Sequence, residues 1–251
     1  MLKLLKYDLK RNANVSLGLL AVLVFLQILL SVVGNTKNWE QSIIIGLTFS
    51  LYMMTGIIMI IVICKTYENN IKAYSRRLLP IRPMWTAVSC IIIGWITAPI
   101  LALIALLHGV LYKNIVGVSW WQQLELTALN VKDLLLFVFL IGWGITFLMM
   151  IILLSMTIGA SISLRGKAGT WVGILSFFIF SSVLSWVERQ LFGAFNDMLF
   201  NVGISLPDGE VSTTVTSSAP IMTWGPLLFE AVIIALMLVV INYLISKKVE
   251  I

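Results

Sequence analysis

Residues 42–64 read SIIIGLTFSLYMMTGIIMIIVIC, a run of 23 positions without a charged side chain. At the helical rise of about 1.5 Å per residue, such a run reaches about 35 Å, which exceeds the roughly 30 Å hydrocarbon core of a bilayer. The stretch therefore predicts a transmembrane helix.

Five further segments have the same character, so the sequence predicts six spans. Their approximate ranges are 15–33, 42–64, 85–111, 134–163, 170–187 and 223–246. The composition agrees, because 60% of the residues are hydrophobic and 11% are charged, whereas soluble domains are about 45–50% apolar and about 25% charged. These values exclude a water-soluble fold for most of the chain. We expect an all-α integral membrane protein with a single transmembrane domain over residues 1–251.

The basic residues predict how the spans are oriented. One side of the membrane would carry 13 of the 17 basic residues, and an excess of Lys and Arg marks the cytoplasmic side. That side holds Lys3, Lys6, Lys10, Arg11, Lys65, Lys72, Arg76, Arg77, Arg82, Arg165, Lys167, Lys247 and Lys248, and the other side holds Lys37, Lys113, Lys132 and Arg189. We therefore expect both termini in the cytoplasm.

The connecting segments carry further signals. Residues 1–12 place leucines and lysines on different helical faces, which predicts a short interfacial helix. The outer segment 188–222 begins semi-apolar and then becomes rich in Ser and Thr. Its first half could re-enter the membrane where protein covers it.

Catalytic and metal-binding motifs are scarce. The single histidine, His108, argues against a histidine-based metal cluster, and Cys64 and Cys90 have neither disulfide nor zinc spacing. A Ser161–His108 hydrolase is disfavoured because these residues fall near opposite faces of the membrane. Lys167 belongs to the one Gly-Lys pair, but neither Ser nor Thr follows it, so we expect no nucleotide site in this chain.

The most informative connection is KTYENNIKAYSRRLLPIRPMW at 65–85. Glu68 and Lys72 are four residues apart, a favourable pair on one helical face, and Arg76 continues that face. Pro80 ends any helix just before it. The segment predicts a short charged helix at about 66–78, although a simple positively charged loop remains an alternative.

This layout resembles the ABC-2 type permeases, the membrane subunits of bacterial ATP-binding-cassette exporters, including those of peptide export and antimicrobial immunity. Loops of that family combine an acidic residue, a Leu-Leu pair near a Pro, and a basic residue. Glu68, the pair Leu78-Leu79, Pro80 and Arg82 are similar to that pattern. The sequence departs from it at 69–72, where Asn-Asn-Ile-Lys stands in place of the family's frequent Gly-Thr.

The resemblance implies a function and partners. It implies a permease without enzymatic activity of its own, in the bacterial cytoplasmic membrane, that exports an amphipathic or hydrophobic substrate. Two separate ATPase subunits would bind ATP and Mg, and a second permease copy or a sister permease would complete the pathway. The expected coupling residues are Glu68, Lys72, Arg76, Arg77, Arg82, Arg165 and Lys167. A non-transporting membrane sensor or scaffold is the alternative function.

Glu230 lies about six residues into the last predicted span, roughly 9 Å below its outer end. A carboxylate inside the membrane is a candidate for a functional site by default. We expect it at the subunit interface or at the outer mouth of the substrate path, where it would act as a gate. There it would be either protonated or paired with a polar group, for example from the segment around Phe192–Phe200. The alternative is a carboxylate that reaches the outer interface or bonds a neighbouring helix.

Overall fold

The structure is a computed structural model that describes residues 2–72, 84–116, 131–162, 168–192, 202–205, 212–215 and 224–247. Within these residues the chain forms six long helices and one short strand pair. The helices are α1 (Leu2–Thr36), α2 (Gln41–Lys72), α3 (Met84–Val116), α4 (Val131–Ser161), α5 (Ala168–Phe192) and α6 (Trp224–Lys247).

All six helices are long and apolar enough to cross a membrane, and their candidate spans are 22–33 residues long. At helical rise these spans measure about 33–50 Å, so each is long enough to cross a hydrocarbon core of about 30 Å. The predicted number of spans is confirmed. The fifth helix is 25 residues long, which exceeds its predicted range of 170–187.

The N-terminal segment differs from its prediction. Residues from Leu2 onward form the first turns of α1, which continues without a break to Thr36. The first glycine is Gly18, and α1 contains no proline, so no residue type that interrupts helices separates the two parts. The predicted interfacial helix is therefore the start of the first long helix.

The predicted helix at about 66–78 also joins its neighbour. Residues 66–72 are the last turns of α2, and residues 73–83 lie outside the described part of the chain. Between α5 and α6, β1 (Val202–Ser205) pairs antiparallel with β2 (Ser212–Val215), with Val202 opposite Val215. Residues 193–201 are not described, so the predicted membrane re-entry stays a prediction.

Two apolar clusters hold the bundle together. The smaller one joins α1, α2 and α3 around Leu20, Leu23 and Met59. The larger one joins α2, α3, α4 and α6, and Tyr67, Met150 and Ile241 are fully buried in it. Helix α5 packs mainly against α4. Consecutive helices run antiparallel, which brings the start of α1, the end of α2 and the start of α3 to one end of the bundle.

Candidate functional site

Asp8 is fully buried at the end of the bundle where α1 begins. Asn70 Nδ2 on α2 lies 3.3 Å from each of its carboxylate oxygens, and Ser89 Oγ on α3 donates to Oδ2 at 3.1 Å. A buried charge is stable only where it is paired or hydrogen-bonded. Asp8 therefore connects α1 to α2 and α3 through hydrogen bonds. We call the end of the bundle at which it lies the Asp8 end.

Further polar contacts extend this connection into a layer. Thr66 Oγ1 on α2 donates to Asn12 Oδ1 on α1 at 2.7 Å. The Tyr67 hydroxyl lies 2.7 Å from Thr157 Oγ1 on α4. We define the polar layer by these contacts and those of Asp8. Its residues are Asp8, Asn12, Thr66, Tyr67, Asn70, Ser89 and Thr157, and all of them are buried.

The spacing of residues on α1 and α2 explains why these side chains meet. Leu4, Asp8 and Asn12 are four residues apart, and all three are buried, so they share one face of α1. On α2, Thr66 and Asn70 have the same spacing, and the buried Tyr67 lies beside them. On α1, the face that contributes Asp8 and Asn12 to the polar layer thus continues along the helix to the buried Leu20 and Leu23.

The depth of Asp8 explains how a carboxylate is tolerated there. The candidate span of α1 begins at Leu4 and is 33 residues long, or about 50 Å at helical rise. With that span centred on a core of about 30 Å, about 10 Å protrudes at each end. Asp8 lies about 6 Å from the start of the span, so a centred span places it outside the hydrocarbon core.

The predicted coupling residues divide into two groups. Glu68 lies on α2 between the buried Tyr67 and Asn70, and its side chain is partly exposed. Lys72 is the last residue of α2. Arg76, Arg77, Arg82, Arg165 and Lys167 lie outside the described residues. The structure therefore brings Glu68 beside the polar layer, and the roles of the others stay predictions.

Asp8 itself was not predicted as a site residue. The leucines and lysines of residues 1–12 predicted an interfacial helix, and no role was predicted for Asp8. The available signal was the four-residue spacing of Leu4, Asp8 and Asn12, which continues toward Leu20 and Leu23. Such a stripe indicates a face that contacts other helices.

Glu230 is at the opposite end of the bundle, which we call the Glu230 end. It lies six residues after the first residue of α6, as predicted, and it is partly buried. Trp143 Nε1 on α4 donates a hydrogen bond to Glu230 Oε2. The Trp143 ring stacks on Phe139 at a centroid distance of 6.0 Å. The carboxylate of Glu230, near one end of α6, therefore accepts a hydrogen bond from the indole of Trp143.

The surroundings of Glu230 include α5 as well. Glu188 on α5 lies within range of electrostatic interaction with Glu230. Phe192, the last residue of α5, packs edge-on against Phe229 with ring centroids 5.8 Å apart. Glu230 therefore bonds a neighbouring helix, which is the alternative that the sequence left open. Residues 193–200 lie outside the described part of the chain, so a pairing with that segment stays a prediction, and Phe192 contributes an apolar contact beside Glu230.

Neither end contains a recognisable catalytic or metal centre among the described residues. No group of three or more His, Cys, Asp or Glu side chains in the described ranges could hold a metal ion. Ser161 donates to its own helix at Ile158 O, at the Asp8 end. His108 lies near the other end of α3, so the Ser161–His108 pairing is excluded by distance along the bundle.

Comparison with protein-family models, with curated proteins and with solved structures found no match to this chain.

Proposed function

We propose that the chain is the membrane-spanning permease subunit of an ATP-driven exporter of the ABC-2 type. Its substrate is an amphipathic or hydrophobic molecule such as a peptide, an antibiotic or a lipid-like compound. The termini and the 65–85 connection face the cytoplasm of a bacterial cell. Separate ATPase subunits bind ATP and Mg, and this chain performs no hydrolysis.

The observation that carries the proposal is the polar layer beside the 65–85 connection. The last turns of α2 are bonded to α1 through Asn70 and Asp8 and to α4 through Tyr67 and Thr157. A force applied to the connection therefore reaches α1 and α4 through hydrogen bonds rather than through lipid. Such an arrangement suits a permease that is moved by a partner on its cytoplasmic side.

Two copies of the permease, or this chain and a sister permease, form the transport pathway with two ATPase subunits. Helix α5 supports this assembly, because none of the 18 residues in its most apolar stretch is buried inside the subunit. Its exposed side chains include Trp171, Phe178 and Trp186, each more than 60% exposed. This face is available to a second membrane subunit.

We predict that Arg76→Glu combined with Arg77→Glu weakens association with the ATPase. Truncating one partner of a buried, hydrogen-bonded charge pair costs about 2–5 kcal/mol, and charge reversal at two positions adds repulsion. The test is affinity purification of the tagged permease from cells that express the candidate ATPase, with the amount of co-purified ATPase and its hydrolysis rate as readouts. Wild type should retain the ATPase, and the variant should lose at least nine-tenths of it.

Lys37→Glu combined with Lys113→Glu is the matched control, because both lysines are exposed at the other end of the bundle. This control should retain the ATPase. Normal assembly and hydrolysis in the Arg76/Arg77 variant would reduce the 65–85 connection to a topology signal. A wild-type chain that retains no ATPase would instead favour a sensor or scaffold.

Substitutions of Glu230 test the outer end of the same proposed pathway. We propose that Glu230 stabilises the closed outer gate through the Trp143 bond, and that Glu230→Ala, which removes the acceptor of that bond, impairs coupled transport about tenfold. A hydrogen bond to a charged group contributes about 1.5–3 kcal/mol, and each 1.4 kcal/mol corresponds to a factor of ten in rate. The measurement is substrate efflux from vesicles together with substrate-stimulated ATP hydrolysis.

Trp143→Phe supplies the matched variant, since it keeps an aromatic ring and removes the N–H donor. If the bond carries the effect, Trp143→Phe and Glu230→Ala should each impair coupled transport by a similar factor, and the double variant should be little worse than either single variant. Unchanged transport in Glu230→Gln and in Glu230→Ala would make this carboxylate an ordinary interhelical contact.

A further inference from the structure

The contacts at the Glu230 end of the bundle divide the six helices into two units. The first unit contains α1, α2 and α3. Ser31 Oγ on α1 lies 3.1 Å from His108 Nε2 on α3, and the Tyr112 hydroxyl on α3 donates to Gln41 Oε1 on α2 at 2.8 Å. The same three helices share the smaller apolar cluster. They are therefore held to one another by both polar and apolar contacts.

The second unit contains α4, α5 and α6. Trp143 on α4 donates to Glu230 on α6, and Phe192 at the end of α5 packs against Phe229 on α6. Helix α5 also packs along α4. Among the described residues in the half of the bundle nearest Glu230, the side-chain hydrogen bonds and ring contacts between helices thus stay within one unit or the other.

The core that the two units share lies in the half of the bundle nearest Asp8. In the larger apolar cluster, the buried residues of α3 come from its first third, between Ala87 and Ile93. Those of α4 lie between Met149 and Leu154, in its second half, and α6 contributes Ile241 near its last turns. All of these positions are on the Asp8 side of the bundle. The units are therefore joined firmly near Asp8, whereas in a membrane the hydrophobic effect does not force their other halves together.

A tryptophan joins the two units near the middle of the bundle. Trp95 lies about 16 Å along α3, and its Nε1 donates to Thr146 Oγ1 on α4 at 2.7 Å. Thr146 in turn donates to Gly142 O, so its oxygen can accept the indole N–H. The indole also covers Gly142, because a Cβ atom there would lie 3.1 Å from Trp95 Cη2. Trp95 is nevertheless 47% exposed, so it lies at the edge of the contact between the units rather than in their core.

A proline follows this contact after one helical turn. Pro99 lies inside α3, and it has no N–H to donate to the carbonyl oxygen of Trp95. Helices bend at such positions. Beyond Pro99, Leu101 and Ile104 of α3 pack in the smaller cluster with α1 and α2. Pro99 therefore separates the part of α3 that is fixed to the second unit from the part that packs within the first unit.

We propose that the chain opens at its Glu230 end by parting α3 from α4. The first unit tilts away from the second, α3 bends at Pro99, and the halves near Asp8 stay together. The hydrogen bond from Trp95 to Thr146 is the latch, which breaks when the cleft opens and forms again when it closes. The opening gives the interior of the bundle a lateral connection to the membrane. This motion takes place within one subunit and does not depend on the proposed transport function or its partners.

The experiment measures distances between nitroxide spin labels in the purified full-length chain in lipid nanodiscs, by pulsed electron paramagnetic resonance. Leu111→Cys on α3 with Val138→Cys on α4 reports on the cleft, because both side chains are exposed near the Glu230 end. Lys6→Cys on α1 with Ile162→Cys after α4 reports on the same two units at the Asp8 end, where both side chains are exposed.

Both label pairs are placed in a background in which Cys64 and Cys90 are replaced by alanine. Labelled chain is diluted with unlabelled chain, so that distances between copies do not contribute. The distances between Leu111 and Val138 should fall into a major shorter population and a minor longer one, which is the open cleft.

Trp95→Phe tests the latch, because it keeps a ring and removes the N–H donor. It should raise the ratio of the longer to the shorter population about threefold, the average effect of one interhelical hydrogen bond in a membrane. Thr146→Val removes the acceptor instead and should give the same change, so it replaces Trp95→Phe if that variant does not fold. The control is Trp171→Phe, since Trp171 is 67% exposed on α5, and it should change neither population.

Pro99→Ala tests the hinge in the opposite direction. It restores a donor for the carbonyl oxygen of Trp95 and should lower the share of the longer population at least twofold. Pro226→Ala is the matched control, because Pro226 lies in the first turn of α6, where a backbone N–H has no partner within the helix. This control should leave both populations unchanged. The distance between the labels at 6 and 162 should stay the same in all variants.

Two results would overturn the proposal. One is a distribution between the labels at 111 and 138 that is the same in the wild type and in the latch and hinge variants. The other is a distance between the labels at 6 and 162 that changes as much as the distance between 111 and 138, which would mean that the units separate along their whole length.

Discussion

Replacing Asp8 by alanine should lower the midpoint of thermal unfolding of the purified protein by about 6–12 °C. The substitution leaves the donors of Asn70 and Ser89 buried without their acceptor, and each such group costs about 1–3 kcal/mol. A loss of about 3 kcal/mol in a chain of this size corresponds to about 2–4 °C for each kcal/mol. The midpoint is measured by intrinsic fluorescence in detergent.

Glu40→Ala is the matched control, because it also removes a carboxylate but at an exposed position before α2. Its effect should stay within about 0.5 kcal/mol. If Asp8→Ala unfolds at the same temperature as Glu40→Ala, the polar layer does not hold the helices together.

A second variant separates stability from function. Asp8→Leu, Asn70→Leu and Ser89→Ala together replace the polar contacts by apolar ones, and such replacement is often neutral or stabilising. We expect this triple variant to recover stability while substrate-stimulated ATP hydrolysis remains low. Recovery of both properties would show that the polar layer acts only as a structural clamp.

The six spans could be predicted from the sequence because lipid allows few solutions. Every backbone polar group in a bilayer must be bonded internally, so long uncharged runs such as residues 42–64 become helices. The position of Glu230 along the last helix followed from the same counting, because helical rise converts sequence position into distance along a helix. These features depend on one stretch of chain at a time.

The contacts of the two sites could not be predicted because their partners are far apart in sequence. Asp8 bonds residues 62 and 81 positions away, and Trp143 is 87 positions from Glu230. A helical pattern shows which residues share a face, but not which neighbour that face meets. The leucines of residues 1–12 were therefore assigned to the membrane surface, whereas the face of Leu4, Asp8 and Asn12 packs against α2 and α3.

The crossing of α4 and α5 should be the most sensitive point to added volume. A Cβ atom at Gly159 would lie 2.5 Å from Gly169 O and 3.2 Å from Gly173 Cα. These neighbours are backbone atoms, so they cannot move aside as a flexible side chain can. Small residues let helix backbones approach closely in membranes, where packing rather than the hydrophobic effect drives association.

We therefore expect Gly159→Ala to destabilise the protein by about 1–3 kcal/mol, the usual cost of overpacking, and Gly159→Leu to cost more. Gly144→Ala on the same helix is the control, since nothing lies within 4 Å of a Cβ there. It should be neutral or stabilising by up to about 1 kcal/mol, because alanine favours helix over glycine. Equal unfolding midpoints for Gly159→Ala and Gly144→Ala would contradict a close crossing.

The double variant Gly159→Ala with Gly169→Ala tests the geometry itself. A Cβ at Gly169 would lie 2.7 Å from Gly159 O, so both substitutions clash at one crossing and a single separation of α4 from α5 relieves both. The double variant should therefore cost clearly less than the sum of the two single variants, because contacting sites are not additive. Strict additivity in thermal unfolding would mean that the two glycines act independently. In that case α5 would not depend on this crossing for its position on the bundle.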